Sequence, residues 1–344
     1  MVETVDTITN SLPWHIRQWI AETLADGYSR EMVSRKLIGL GYDPGPIRGE
    51  ICDIVASPGF AAATRAAKRR DKLASLLDVL AEQFRRTSAG RQVAVMEKPD
   101  AAKFFERYYF ANQPVVVKGL MADWPALDTW SPQWLAEKYG ECEVEVTSDR
   151  DADPRFEDNF VKHRQTMKLA VFIDRISERA GNDCYIVSKN RTLDVAPMAG
   201  LLEDIRIPEG FLTDGDRAPS LWFGPAGTIT PLHHDSTNIF FGQVLGSKRI
   251  RLAPPFEIGN LYNDRACFSA IDLDAIDAGR YPLVREACVL DVTVDPGDFL
   301  LLPVGWWHMV RSLSTSISLS FQNFAVEGPL AVWRHDRPRK RTAK

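Results

Sequence analysis

His233 and Asp235, two residues apart, and His308 far downstream form a residue set that can hold a metal ion. Two imidazoles and one carboxylate bind Fe(II) on one face and leave the opposite positions open for a second ligand and oxygen. The spacing suits a β-strand, where positions i and i+2 point the same way. On such a strand His233 and Asp235 converge and His234 points away. Only a folded β-structure would bring His308 to them. A lone His-x-Asp is a weak signal, but here it lies within GTITPLHHD (227–235) and runs on into the apolar stretch IFFGQV (239–244). His308 follows a turn at DPGD (295–298) and a run with buried-strand character, FLLLP (299–303).

Those positions need a β-scaffold, and from about residue 91 the chain has its texture. Short apolar runs alternate with Pro and Gly turns: PVVVKGL (114–120), CEVEVTS (142–148), CYIVSK (184–189), LWFG (221–224), NIFFGQVLG (238–246), KRIRLAPP (248–255) and DFLLLPVG (298–305). Many short strands predict a sandwich or barrel. Helices are predicted at AAKFFERYYFANQ (101–113) and SPQWLAEKYG (131–140).

The preceding residues read differently. Residues 1–60 predict short helices: one in WHIRQWIAETLADG with Trp14, Ile16, Ile20 and Leu24 on one face, one capped by Ser29, and a third from Ile47 to Val55 after a turn at Asp43–Pro46. They read as a small helical binding module or as packing on the main domain. Residues 61–92 predict a connecting helix with an apolar stripe of Leu73, Leu76, Leu77, Leu80 and Phe84. That stripe suits docking on its own domain or a homodimer. The final stretch, 329–344, is a basic tail for which disorder is the default.

Composition narrows the class. The chain has 344 residues, 45% hydrophobic and 26% charged, as expected of a globular protein. A formal net charge of −4 provides no global basic field for nucleic acid. No apolar run reaches the ~18 residues of a membrane span, and the N-terminus lacks a signal-peptide pattern. The 5 cysteines include no CxxC pair, so neither a disulfide framework nor a zinc ribbon is indicated, and a cytoplasmic setting is expected.

Three blocks together resemble a known family: FFERYYFANQPVVVKGLMADWPALDTWSPQWLAEKYG (104–140), TPLHHDSTNIFFGQVLGSKRIRLAPP (230–255) and DPGDFLLLPVGWWHMVRSLSTSISLSFQNF (295–324). The chain is similar over roughly residues 93–326 to the cupin-like JmjC-type Fe(II)/2-oxoglutarate oxygenases. The likeness is greatest to the branch containing the asparaginyl hydroxylase of hypoxia-inducible factor. It implies a double-stranded β-helix, or jelly-roll, domain over residues 93–328. It also implies iron ligation by His233, Asp235 and His308, with 2-oxoglutarate and O2 as cosubstrates. Lys248 and Thr230 match residues that hold the distal carboxylate, and Tyr185 is a looser match to a cosubstrate-contacting tyrosine. Two places differ. Four residues after the ligand acid, where the family often has asparagine, stands Ile239, with Asn238 just before it; near the end, Ser320 replaces a cosubstrate-facing asparagine. Ser318, Ser320 and Gln322 alternate on one strand face and are all candidates for the pocket.

The implied reaction is hydroxylation of a protein or peptide side chain. The alternatives are the same chemistry on an N-methyl group, an RNA base or a small metabolite, or a non-catalytic cupin-like binding protein. Other residues have plainer readings. Lys248, Arg249 and Arg251 taken alone suit a charged strand face, Trp306 and Trp307 the core, and Trp222 and Phe223 the pocket mouth. His15, His163 and His335 read as surface or capping residues.

Overall fold

The computed structural model describes residues 11–215 and 218–326. The chain divides into two compact units, Met1–Val79 and Leu80–Lys344.

The first unit holds helices α1 (Trp14–Ala25), α2 (Arg30–Gly39) and α3 (Pro44–Ala56), and most of α4 (Pro58–Arg85). Ser29 caps α2, its Oγ accepting from the Met32 amide at 3.2 Å. The turn expected at 43–46 is instead the first turn of α3: Pro44 opens that helix, where a missing N–H leaves nothing unsatisfied. Ile20, Leu24, Val33, Leu37, Ile47 and Ile51 form a small core, while Trp14, predicted on the same face, is exposed. The helix expected across 61–92 runs over Pro58–Arg85. Between Ala61 and Val79 none of its side chains is fully buried, and Leu73 and Leu76 of the predicted stripe are exposed.

The second unit is a two-sheet jelly-roll. Its strands are β1 (Ala94–Met96), β2 (Val115–Val117), β3 (Glu143–Thr147), β4 (Arg164–Lys168), β5 (Ser220–Gly224), β6 (Ile229–His234) and β7 (Ile239–Leu245). They continue as β8 (Lys248–Ala253), β9 (Asn263–Arg265), β10 (Phe268–Ser269), β11 (Leu290–Val294), β12 (Phe299–Leu302), β13 (Trp307–Ser312) and β14 (Ser316–Phe321). One sheet has the order β1-β2-β12-β7-β14-β5 and the other β11-β8-β13-β6-β10-β9, while β3 and β4 form a separate hairpin. Except for the parallel β1–β2 pair, the pairings are antiparallel.

Strand β7 shows why an unbroken apolar run belongs at the centre. Phe240 packs outward on Phe104 and Phe299, whereas Phe241 and Ile239 face the space between the sheets with Ile250, Leu300 and Leu302. Both faces are buried, so alternation disappears from the sequence. Gly246, at φ +65°, makes the tight turn into β8. The end of α4 docks within this unit, with Phe84 edge-on to Phe256 and Trp306 at 5.4 and 5.9 Å. The run predicted as a strand at 184–189 is only a pair of bridges, Thr147 to Tyr185 and Ile186 to Phe223, followed by a 3-10 turn at Ser188–Asn190. The basic tail at 329–344 lies outside the described residues.

Candidate metal centre

Strands β6 and β13 pair antiparallel, with His308 directly opposite His233. Their rings lie 4.1 Å apart, and His308 Nε2 is 3.6 Å from Asp235 Oδ2. One ligand atom from each of His233, Asp235 and His308 falls within 4.8 Å of the others. The Gly305 amide donates to the Asp235 carbonyl at 2.9 Å, tying the end of β6 to the turn that leads into β13.

The imidazoles are oriented by their own backbone. His233 Nδ1 lies 2.8 Å from the Pro231 carbonyl and His308 Nδ1 lies 3.0 Å from the Trp306 carbonyl. A carbonyl only accepts, so each Nδ1 carries the proton and each Nε2 keeps a free lone pair for a metal. Burial, and then the neighbouring His233 ring, lower His308 to about 4, so its neutral, ligating form prevails at pH 7. The donor set therefore fits a divalent transition metal. His234 points away, its ring edge-on to Trp307 at 4.6 Å.

A break in β6 brings a second side chain of the same strand to this space. His308 pairs with His233 and Val310 with Thr230, so Pro231 and Leu232 together oppose Met309 alone. This is a β-bulge, and it resets the alternation. Without it, Thr230 and His233, three positions apart, would face opposite ways. With it, both line one cavity of about 810 Å³.

Lys248 opens β8 at the same cavity and is fully buried. Its Nζ donates to the Tyr185 hydroxyl at 2.9 Å and sits 5.5 Å from the Phe241 ring. Burial lowers the amine to about 7 and raises the phenol above its ordinary range. Arg249 and Arg251 face the other way and pair with Asp274 and Asp291, as expected of a charged strand face. Ser320 lines the cavity and accepts from Trp222 Nε1 at 3.1 Å.

Other expected residues lie elsewhere. Asn238 accepts from the Val304 amide at 2.7 Å and does not line the cavity; its neighbour Ile239 does. Ser318 is buried against Gln243, at 2.8 Å, whereas Gln322 lines the cavity. Phe223 belongs to the core beside Phe172 and not to the mouth. His163 is no surface residue: it is buried between the Ser148 carbonyl and Asp153, at 2.9 and 3.0 Å. His335 lies outside the described residues. Sequence reasoning missed Glu157, Cys267 and Leu302 in the cavity lining. Leu302 sits in the FLLLP run, whose alternation could have assigned it; Glu157 and Cys267 carry no local pattern.

Two six-stranded sheets closing on a His-Asp-His cluster define a jelly-roll protein of the cupin type. The profile described as a cupin-like domain matches residues 101–324, and the chain belongs to that family. It is 30% identical over 256 residues to Jumonji C domain-containing protein 5 of Drosophila melanogaster, covering 70% of this chain and 62% of the relative. It is 34% identical over 229 residues to Lysine-specific demethylase JMJ30 of Arabidopsis thaliana, covering 63% of this chain and 51% of the relative. It is also 27% identical over 246 residues to tRNA wybutosine-synthesizing protein 5 of Gallus gallus, covering 67% of this chain and 76% of the relative. The chain thus spans little more than half the length of the first two. No helix among the described residues is long and apolar enough to cross a membrane.

Proposed function

We propose that this chain is an Fe(II)- and 2-oxoglutarate-dependent dioxygenase that hydroxylates a protein or peptide side chain, with succinate and CO2 as coproducts. One observation carries the reading: the His233, Asp235 and His308 cluster and a buried lysine–tyrosine pair line a single cavity. His233 and His308, through Nε2, and Asp235 would hold the iron. Iron, when bound, supplies the redox chemistry of oxygen activation. Lys248, Tyr185 and Thr230 would bind the distal carboxylate of 2-oxoglutarate, the lysine as a point charge and the two hydroxyls as directional partners. Ile239, Phe241, Leu302 and Val310 form the apolar wall that keeps water from the reacting atoms. Ser320 and Trp222 would shape the substrate side.

A protein side chain as substrate is what the sequence resemblance to the asparaginyl hydroxylase branch implies. The relatives named as a lysine-specific demethylase and a tRNA wybutosine-synthesizing protein support the second reading, the same chemistry on an N-methyl group or an RNA base. The test is succinate formation from 2-oxoglutarate with Fe(II) and ascorbate, joined to a search for an added oxygen atom in extract proteins, RNA and small molecules. No turnover together with no Fe(II) binding would leave the non-catalytic binding protein as the reading. A cytoplasmic setting goes with this proposal, in keeping with scattered cysteines that lack any CxxC pair.

Gly224 tests the carboxylate end. A Cβ there would lie 2.5 Å from Tyr185 Cδ2, closer than packed atoms tolerate, and 3.1 Å from Thr228 Cγ2, a tight contact. Gly224→Ala is expected to push the Tyr185 ring off Lys248, weaken 2-oxoglutarate binding about tenfold and cost about 1–3 kcal/mol of stability. Titration and thermal unfolding of the variant read both; unchanged binding would separate Tyr185 from the cosubstrate.

A homodimer through α4 is also part of this reading. Leu73 and Leu76 are 57% and 54% exposed, and such a stripe is stabilised by a partner. Leu76→Glu is expected to halve the solution mass measured by light scattering. A wild-type chain that is already monomeric at micromolar concentration contradicts it.

A further inference from the structure

We propose that Lys248 is an uncharged amine while its cavity is empty, and that it takes up one proton from solvent when a dicarboxylate enters. Cosubstrate binding and lysine protonation would then be a single event. The inference rests on the oxygenase reading of the cavity.

The geometry leaves an ammonium poorly served. Lys248 is 0% exposed. An ammonium has three protons to donate, and the described partner of Nζ is one neutral phenol oxygen, Tyr185 at 2.9 Å. The Tyr185 and Phe241 ring faces, at 5.4 and 5.5 Å, add weak attraction. Each element packed on this position presents an uncharged group. In register on either side of Lys248 stand Ser312 of β13 and Val294 of β11; β7 presents Phe241 and β6 the Thr230 hydroxyl.

Fixed charges lie further off or are already engaged. Arg150, a like charge, stacks on Tyr185 at 5.1 Å from its ring centre. Glu157, on the cavity lining, is held by Lys189 at 3.0 Å and Arg150 at 3.6 Å. Asp235 belongs to the metal cluster with His233 and His308. The Asp291 and Asp274 carboxylates pair with Arg249 and Arg251 on the opposite face of β8. An unpaired buried charge is expensive, and a neutral amine costs far less. The lowering of Lys248 to about 7 has burial as its cause, in agreement with this geometry.

The phenol is fixed without adding charge. Burial keeps Tyr185 protonated, and the buried Thr228 hydroxyl beside it donates to Ser312 Oγ at 2.6 Å, which also accepts from Ser316 at 3.0 Å. The hydroxyls of this set are neutral and bring no counter-charge to Lys248. A dicarboxylate arrives as a dianion and supplies the missing negative charge. The proton comes from buffer, and no other bond is made or broken.

The full chain, loaded with redox-inert Zn(II), would be titrated calorimetrically with 2-oxoglutarate in buffers of different ionisation enthalpy. About one proton taken up per ligand at about pH 8.5, falling to near zero at about pH 6, is the expected result. Tyr185→Phe should retain the uptake. Binding with no uptake at about pH 8.5 overturns the proposal. Independently of ligand, the ε-methylene NMR signal of Lys248, assigned by its loss in Lys248→Gln, should report an amine at about pH 8.5 and an ammonium after 2-oxoglutarate is added. An ammonium signal in the empty protein at that pH also overturns it. Failure of 2-oxoglutarate to bind at any pH would count against the oxygenase reading, while the NMR signal still decides the charge of Lys248.

Discussion

His308→Ala is expected to weaken Fe(II) binding by more than about 100-fold and to abolish turnover with any substrate. Removing the ring leaves His233 and Asp235, which are both supplied by the end of one strand, with no donor from β13. The backbone of β13 pairs with both β6 and β8, so the fold should persist. Loss of the ring also relieves a histidine whose charged form is penalised by burial and by His233. Metal content by elemental analysis, with circular dichroism as the check on folding, reads the result. A variant that still binds Fe(II) stoichiometrically and turns over at the wild-type rate would refute the ligand assignment.

Lys248→Met should separate function from stability. The variant is expected to lose 2-oxoglutarate binding and, in the empty protein, to unfold at higher temperature, gaining about 1–3 kcal/mol. Methionine fills much the same space without an amine to desolvate. The pH dependence follows from linkage. In the folded chain Lys248 titrates at about 7 instead of its ordinary 10.5, so between these values the unfolded chain binds more protons. Wild-type stability therefore rises with pH across that window, the penalty being complete below about 7 and relieved towards 10.5. The stability gap between variant and wild type should narrow correspondingly as pH is raised through it. A methionine variant less stable than wild type across the whole range would show that the buried amine contributes bonds the neutral pocket cannot lose.

Much of this was legible in the residues. The two-residue spacing of His233 and Asp235 belongs to a strand, and the apolar run of β7 required a place between two packed layers. Lys248 was readable only through the family resemblance, since on its own it reads with Arg249 and Arg251 as a charged strand face. What was not legible depended on tertiary partners. Asn238 has the right residue type beside the expected position, yet its amide oxygen serves the Val304 backbone. His163 carries no motif and is held by Ser148 and Asp153 from the neighbouring chain segment. Tyr185 stands in a β-rich stretch that extends no further than single bridges, because the 3-10 turn at Ser188 ends it. In α4 the stripe was visible, but periodicity carries no information about how much of a helix is covered.

The bulge at Pro231–Leu232 has a consequence for transplanting this site. A strand of unbroken pleat has a single phase and shows either His233 and Asp235 or Thr230 to the interior, but not both. The Thr-Pro-Leu-His-x-Asp cassette is thus a phase-shifted ruler: its first mark is read in one parity and its last two in the other. Grafted onto a regular strand of a designed barrel, with a histidine opposite its own on the partner strand, the cassette should bind metal yet leave the hydroxyl facing outward. Only a host whose partner strand supplies one residue opposite two would recover both halves.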